Sequence, residues 1–156
     1  MVEHQKRGKT RFFNMKRIGK SPVAKMKHEA DRAMQVWFVR THPKCECCGQ
    51  PTYCAHHIVE KPRSSALRYE GDNLVAVCLP CHSQIHNQMF GRPANNSLRS
   101  YNLIDGIIER RGGKKWKDEL ECRGRMLVKT NLEFYKKAFE YFTNLIHVAE
   151  EEGFLS

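Results

Sequence analysis

The chain has 156 residues, 40% of them apolar and 28% charged, and a formal net charge of +10. That length suits one domain with a modest core and is short for two independent ones. No run of about 18 apolar residues offers a membrane span, and Lys6, Arg7, Lys9 and Arg11 stand where the apolar core of a signal peptide would begin, so a cytoplasmic location is expected.

Residues 1–27 carry nine Lys and Arg (positions 6, 7, 9, 11, 16, 17, 20, 25 and 27) against one acid, Glu3, so all but +2 of the net charge lies there. Residues 1–20 show no clear period and are expected to form a basic, flexible arm. Such an arm either solubilises the chain or neutralises phosphates, releasing counterions with little regard for sequence. Phe12 and Phe13 are expected to pin it to the domain surface rather than to stack on bases.

Ser21-Pro22 is a helix start, an N-cap followed by proline at the first helical position. Ala30, Ala33, Met34 and Trp37 recur at helical spacing to about Arg40, and His42-Pro43 ends the run, which predicts a packing helix over 21–43. His28 and His42 fit no ligand pattern and are expected at the surface. Thr52 to Val59 predicts a short strand, followed by a loop to about Asp72 and a second strand over Leu74 to Val77. Lys61, Arg63 and Arg68 in that loop are candidates for holding a nucleic-acid backbone. Cys81 to about Met89 predicts a short helix, closed by Gly91 and Pro93. Further helices are expected over Leu98 to Arg111, around Trp116 and Leu120, and from the box Thr130-Asn131-Leu132-Glu133 to about Glu152. The last helix carries an apolar stripe of Leu132, Tyr135, Phe139, Phe142, Ile146 and Ala149, expected to be core, with a homodimer face as its alternative use.

Cys45-Glu46-Cys47-Cys48-Gly49 and Cys78-Leu79-Pro80-Cys81 are the most informative segments. In each C-x-x-C pair two thiolates converge on one ion, and Cys45, Cys48, Cys78 and Cys81 together offer the closed tetrahedral shell that structural zinc prefers. A reducing compartment favours such thiolate–metal bonds over disulfides. Cys47, Cys54 and Cys122 are then expected to be ordinary buried or half-buried thiols. His82 and His86 fall four residues apart on one helical face and can share a second cation. His147 lacks such a companion. Alternation along a strand sends His56 and His57 to opposite faces, so both serve one site only where the strand ends or bends.

With these residues in place, Lys44 to Asn87 resembles the HNH endonucleases of ββα-metal fold, in the zinc-containing treble-clef form common in phage and bacterial genomes. The elements fall in that family's order: a C-x-x-C-G knuckle, a strand ending in His-His-Ile, a loop, Asn-Leu before a second strand, and C-x-x-C-H-x-x-x-H opening a helix. One departure is Glu60, at or beside a place where many members carry proline.

The resemblance implies an α+β fold, with a ββα-metal module over 44–90, flanked by the packing helix and by a helical extension over 91–156. It also implies DNA as partner and phosphodiester hydrolysis as activity. His57 would be the general base, Asn73 the middle Asn and His82 the closing His. His56, His82 and His86 would hold a divalent cation (Mg2+, Mn2+, Ni2+ or Zn2+) beside the structural zinc. The bend that joins His56 and His57 to one site is likewise implied by the resemblance. From a different class, a zinc-stabilised DNA-binding or recombination-accessory protein would use the same histidines for folding alone.

Beside a nuclease motif, DNA contact is the expected role of the arm. Deleting residues 1–20 should weaken binding to all DNA sequences and flatten the slope of log K against log salt by about 0.9 for each phosphate that is no longer neutralised. Salt titrations of full-length and truncated protein measure this, and identical slopes would reduce the arm to a solubility tail.

Overall fold

The computed structural model describes residues 21–89 and 102–153. The expected basic arm, Gly91 and Pro93 lie outside the described residues. Helix α1 (Pro22–Thr41) begins where expected, with the Ser21 hydroxyl accepting from the Ala24 amide at 3.2 Å. A tight knuckle follows, closed by an isolated bridge between Lys44 and Pro51. Strand β1 (Cys54–His57), a 3-10 turn (Gly71–Asn73), strand β2 (Leu74–Val77) and helix α2 (Leu79–Met89) come next. Helices α3 (Leu103–Arg111), α4 (Gly113–Gly124) and α5 (Leu132–Glu151) complete the order. The fold is α+β, as expected, and among the described residues no helix is long and apolar enough to cross a membrane.

β1 and β2 pair antiparallel, with Cys54 opposite Val77, Ala55 opposite Ala76, His56 opposite Val75 and His57 opposite Leu74. All four β2 residues are buried, because the sheet is covered on both faces. The period of two divides its side chains between two cores. Ala55, Leu74 and Ala76 pack with Met34 and Phe38 of α1 and Phe142 of α5. Cys54, Val75 and Val77 pack with Cys45, Cys78, Cys81, Ile85 of α2 and Ile107 of α3. A sheet of two four-residue strands is only marginally stable by itself, so these layers hold it in place.

β1 is shorter than the expected strand over 52–59. At its end, the Val59 amide and carbonyl bind the Asn73 side chain instead of extending the ladder. On its free edge, the Gln35 side chain of α1 donates to the Ala55 carbonyl at 2.9 Å and accepts from the Ala55 amide at 2.8 Å. This side-chain pairing satisfies backbone groups that would otherwise invite another strand.

Gly112 joins α3 to α4 at φ 125°, a left-handed conformation in which a Cβ would stand 3.0 Å from Trp116 Cβ. That combination explains a glycine at the expected stop. The cap of α5 is the second residue of the expected box rather than Thr130: Asn131, with an extended backbone, accepts from the Phe134 amide at 2.9 Å. Trp37 is half-buried against Phe142, with ring centroids 5.3 Å apart. His28 and His42 are exposed as expected, and His147 is exposed too, whereas Cys122 is exposed rather than buried or half-buried.

The apolar stripe of α5 packs on α1 within the same chain and supplies core. Phe142 is 1% exposed and stands between Trp37 and Tyr69. Phe142→Ala should therefore destabilise the protein by about 3–5 kcal/mol. A urea titration measures the loss.

Candidate metal and catalytic site

Cys45 and Cys48 come from the knuckle, Cys78 from the residue after β2, and Cys81 from the first turn of α2. Gly49, at φ 74°, turns the knuckle so that its amide reaches the Cys45 carbonyl at 2.8 Å. The Cys48 sulfur lies 3.5 Å from that of Cys78 and 3.6 Å from that of Cys81. A zinc–sulfur bond of about 2.3 Å in a tetrahedron implies sulfur separations of about 3.8 Å, while a disulfide needs about 2.05 Å. These distances and the all-sulfur donor set fit a closed zinc shell. Burial raises the Cys45 thiol, but amide donation from Cys78, Cys47 and Cys48 outweighs it and brings the group down to about 7. Cys47 and Cys54 are half-buried beside the site, and burial pushes Cys47 up to about 12.

Glu46 docks the knuckle onto the sheet. Its carboxylate accepts from the Ala76 amide at 3.0 Å and from Arg111 of α3 at 2.9 Å. Arg111 also donates to the carbonyls of Asp72 and Leu74.

The second cluster is built by His56 from β1 and by His82 and His86 from α2. The four-residue spacing brings His82 Nε2 and His86 Nε2 to 3.1 Å, with the His56 ring 5.5 and 5.3 Å from theirs. Their nearest ring nitrogens lie within 4.8 Å of one another. For metal–nitrogen bonds of about 2.05 Å, neighbouring ligands stand about 2.9 Å apart in an octahedron and 3.3 Å in a tetrahedron, so 3.1 Å fits either shell. Burial, followed by the charges of His82, His86 and His57, lowers His56 to about 4. Burial and then His86 lower His82 as well. Neutral imidazoles are the form that binds metal.

His57 lies on the other face of β1, toward α1, as strand alternation requires. Both histidines nevertheless line one cleft of roughly 480 Å³, together with Gln35, Glu60, Lys61, Pro62, His82 and His86. The cleft follows the free edge and the end of β1, where side chains from both faces are accessible. His57 Nε2 lies 2.9 Å from the Arg68 carbonyl. A carbonyl only accepts, so Nε2 carries the hydrogen and Nδ1 keeps its lone pair. Burial lowers His57 to about 4, against the hydrogen bond to Arg68, with the Lys61 and Arg68 charges adding to the shift.

Asn73 is fully buried. Its side chain accepts from the Val59 amide at 2.7 Å and donates to the carbonyls of Val59 and Leu67 at 3.0 and 3.1 Å. It thereby joins both ends of the loop that follows His57. Of the three expected backbone-binding cations, Lys61 lines the cleft and Arg63 is exposed. The third, Arg68, is 6% exposed and its guanidinium binds Asp31 through two nitrogens.

Sequence reasoning missed Asp31, Gln35, Glu46 and Tyr69. The available signal for the first two was their four-residue spacing on the otherwise apolar face of α1.

Residues 45–88 match the family model described as HNH endonuclease, the family that the sequence resembles. The match covers the knuckle, both strands and α2, and leaves α1, α3, α4 and α5 outside. Neither the curated proteins nor the solved structures contain a match to the chain.

Because structural zinc binding is itself folding free energy, Cys48→Ser or Cys78→Ser should lose stoichiometric zinc and the cooperative melting transition together. Metal analysis and thermal unfolding of the purified variants check this. Full zinc content with an unchanged transition in both would exclude the four-cysteine site.

Proposed function

We propose that the protein is a metal-dependent HNH-type DNA endonuclease that hydrolyses phosphodiester bonds. The observation that carries this reading is the shared cleft, into which a buried neutral imidazole with a defined tautomer and a three-histidine cluster both open.

Hydrolysis of a phosphodiester requires a better nucleophile than water, relief of the phosphate charge, and stabilisation of the departing oxygen. His57 supplies the first. Its Nδ1 lone pair removes a proton from a water in line with the scissile bond, while Nε2–H stays on the Arg68 carbonyl and prevents ring rotation. With the imidazole lowered to about 4, the base is unprotonated at neutral pH. Lys61 stands at the cleft 3.8 Å from Asp31, a distance loose enough for its ammonium to turn to a phosphate oxygen. His56, His82 and His86 would hold a divalent ion, which when bound would supply Lewis-acid stabilisation of charge on the phosphate and leaving oxygen. Products with 5′-phosphate and 3′-hydroxyl ends follow from attack by water with departure of the 3′-oxygen. Arg63 and the basic segment at 1–20 add affinity for the phosphate backbone.

His57→Ala should reduce cleavage by about 10²- to 10⁴-fold, the usual contribution of a general base, while zinc content and DNA affinity remain near wild type. The assay is supercoiled-plasmid cleavage with Mg2+, Mn2+ or Ni2+ and a chelator control, beside a DNA-binding titration. Wild-type protein that binds DNA and leaves duplex, branched and single-stranded substrates intact with every ion would establish the accessory role instead.

A further inference from the structure

Helix α1 lies outside the residues matched to the family, yet its polar side chains reach the catalytic cleft. Asp31 Oδ1 accepts from Arg68 Nε at 2.9 Å and from the Tyr69 hydroxyl at 3.0 Å, and Oδ2 accepts from Arg68 Nη2. Lys61 Nζ stands 3.8 Å from the same carboxylate. One turn on, Gln35 grips Ala55, two residues before His57. A guanidinium as buried as that of Arg68 needs a paired carboxylate, so Arg68 follows Asp31.

Arg68 also touches His57, which makes this pairing consequential. Its main-chain carbonyl is the acceptor for His57 Nε2–H. A neutral imidazole has two tautomers of similar energy, and only the Nε2–H form leaves Nδ1 open to a water. The carbonyl that selects this form sits in an irregular loop, without a ladder or helix of its own to hold it. Asn73 fixes the preceding residue through the Leu67 carbonyl, and Asp31 fixes Arg68 itself. Tyr69, which completes the carboxylate's shell, packs against Phe134 and Phe142 of α5, so the support continues into the helical layer.

We propose that Asp31 is a positioning residue: by holding Arg68 it places the carbonyl that keeps His57 in its Nε2–H tautomer, which makes α1 part of the catalytic apparatus. The role rests on His57 as the general base of the proposed hydrolysis. It differs from a purely structural ion pair in acting through one imidazole.

The test is Asp31→Asn in the full-length, zinc-loaded protein. It removes the charge while keeping the side-chain shape. The expected result is a kcat lower by about 10- to 100-fold at saturating DNA, the usual effect of removing a group that orients a reacting one, with KM and zinc content near wild type. In a His57→Ala background the same substitution should change the residual rate little, because the group through which it acts is gone. Long-range proton–nitrogen NMR of the histidines should show His57 as Nε2–H in the wild type and as a tautomer mixture in Asp31→Asn. Arg68→Lys, which keeps the positive charge but removes the two-nitrogen fork, replaces Asp31→Asn should the latter fail to fold, with the same results expected.

A wild-type kcat in the variant, an equal fractional loss in the His57→Ala background, or an unaltered His57 tautomer would overturn the proposal. A wild-type protein that cuts no DNA, with a His57 tautomer still dependent on Asp31, would refute the nuclease reading while leaving the positioning link intact.

Discussion

Four sulfurs brought within 4.8 Å of one another cannot all be thiolates unless a cation lies among them. The rest of the module depends on that convergence. The knuckle contributes two sulfurs and the junction of β2 with α2 contributes two, so one ion would fasten the start of the module to its end. Val75 and Val77 of the sheet share one core with three of the four cysteines. The direction of α2 is set there as well, since Cys81 lies in its first turn. His82 and His86 follow on the same helix, and the cysteine cluster thereby aims the histidine cluster at β1.

A second constraint acts from the opposite face. β1 has one ladder neighbour, and its other edge would be open to another strand. The Gln35 amide covers that edge without occupying its full length, leaving the cleft accessible beyond it. Asn73 then stops the ladder at Val59 by binding both of that residue's backbone groups. The end of β1 is therefore a built feature with satisfied hydrogen bonds, and it allows two adjacent histidines on opposite faces of a strand to address one cleft. A longer strand would carry the ladder past His57 and separate the two faces.

The electrostatics inside and outside the cleft have opposite characters. The chain as a whole carries +10, suited to a polyanionic partner. Within the cleft, His56, His57 and His82 are held toward their neutral forms chiefly by burial. Among the described loop cations beside them, Arg68 is engaged by Asp31. Burial would raise Asp31, but the Arg68 hydrogen bond and the charges of Lys61 and Arg68 bring it below its usual value. One carboxylate thus steadies two cations next to the proposed base, which leaves the imidazole to respond to its burial and to the Arg68 carbonyl.

The metal-binding chemistry was legible in the sequence because it depends on short spacings. Cys45 and Cys48, Cys78 and Cys81, and His82 and His86 are each within one turn, and a helix or knuckle at that length leaves little freedom in how their ligand atoms meet. The start of α1 and the second strand were legible for the same reason, since Ser21-Pro22 and Leu74 to Val77 act locally. Tertiary contacts decided the remainder. Asp31 and Arg68 are separated by 37 positions, and neither has a local pattern that names its partner. Arg68 therefore read as a surface cation until burial and the α1 carboxylate accounted for it. The extent of β1, the covering of its free edge and the packing of the α5 stripe on α1 likewise depended on groups distant in the chain. Local periodicity specifies which faces are apolar or polar, whereas the choice of what each face meets is made only when the whole chain packs.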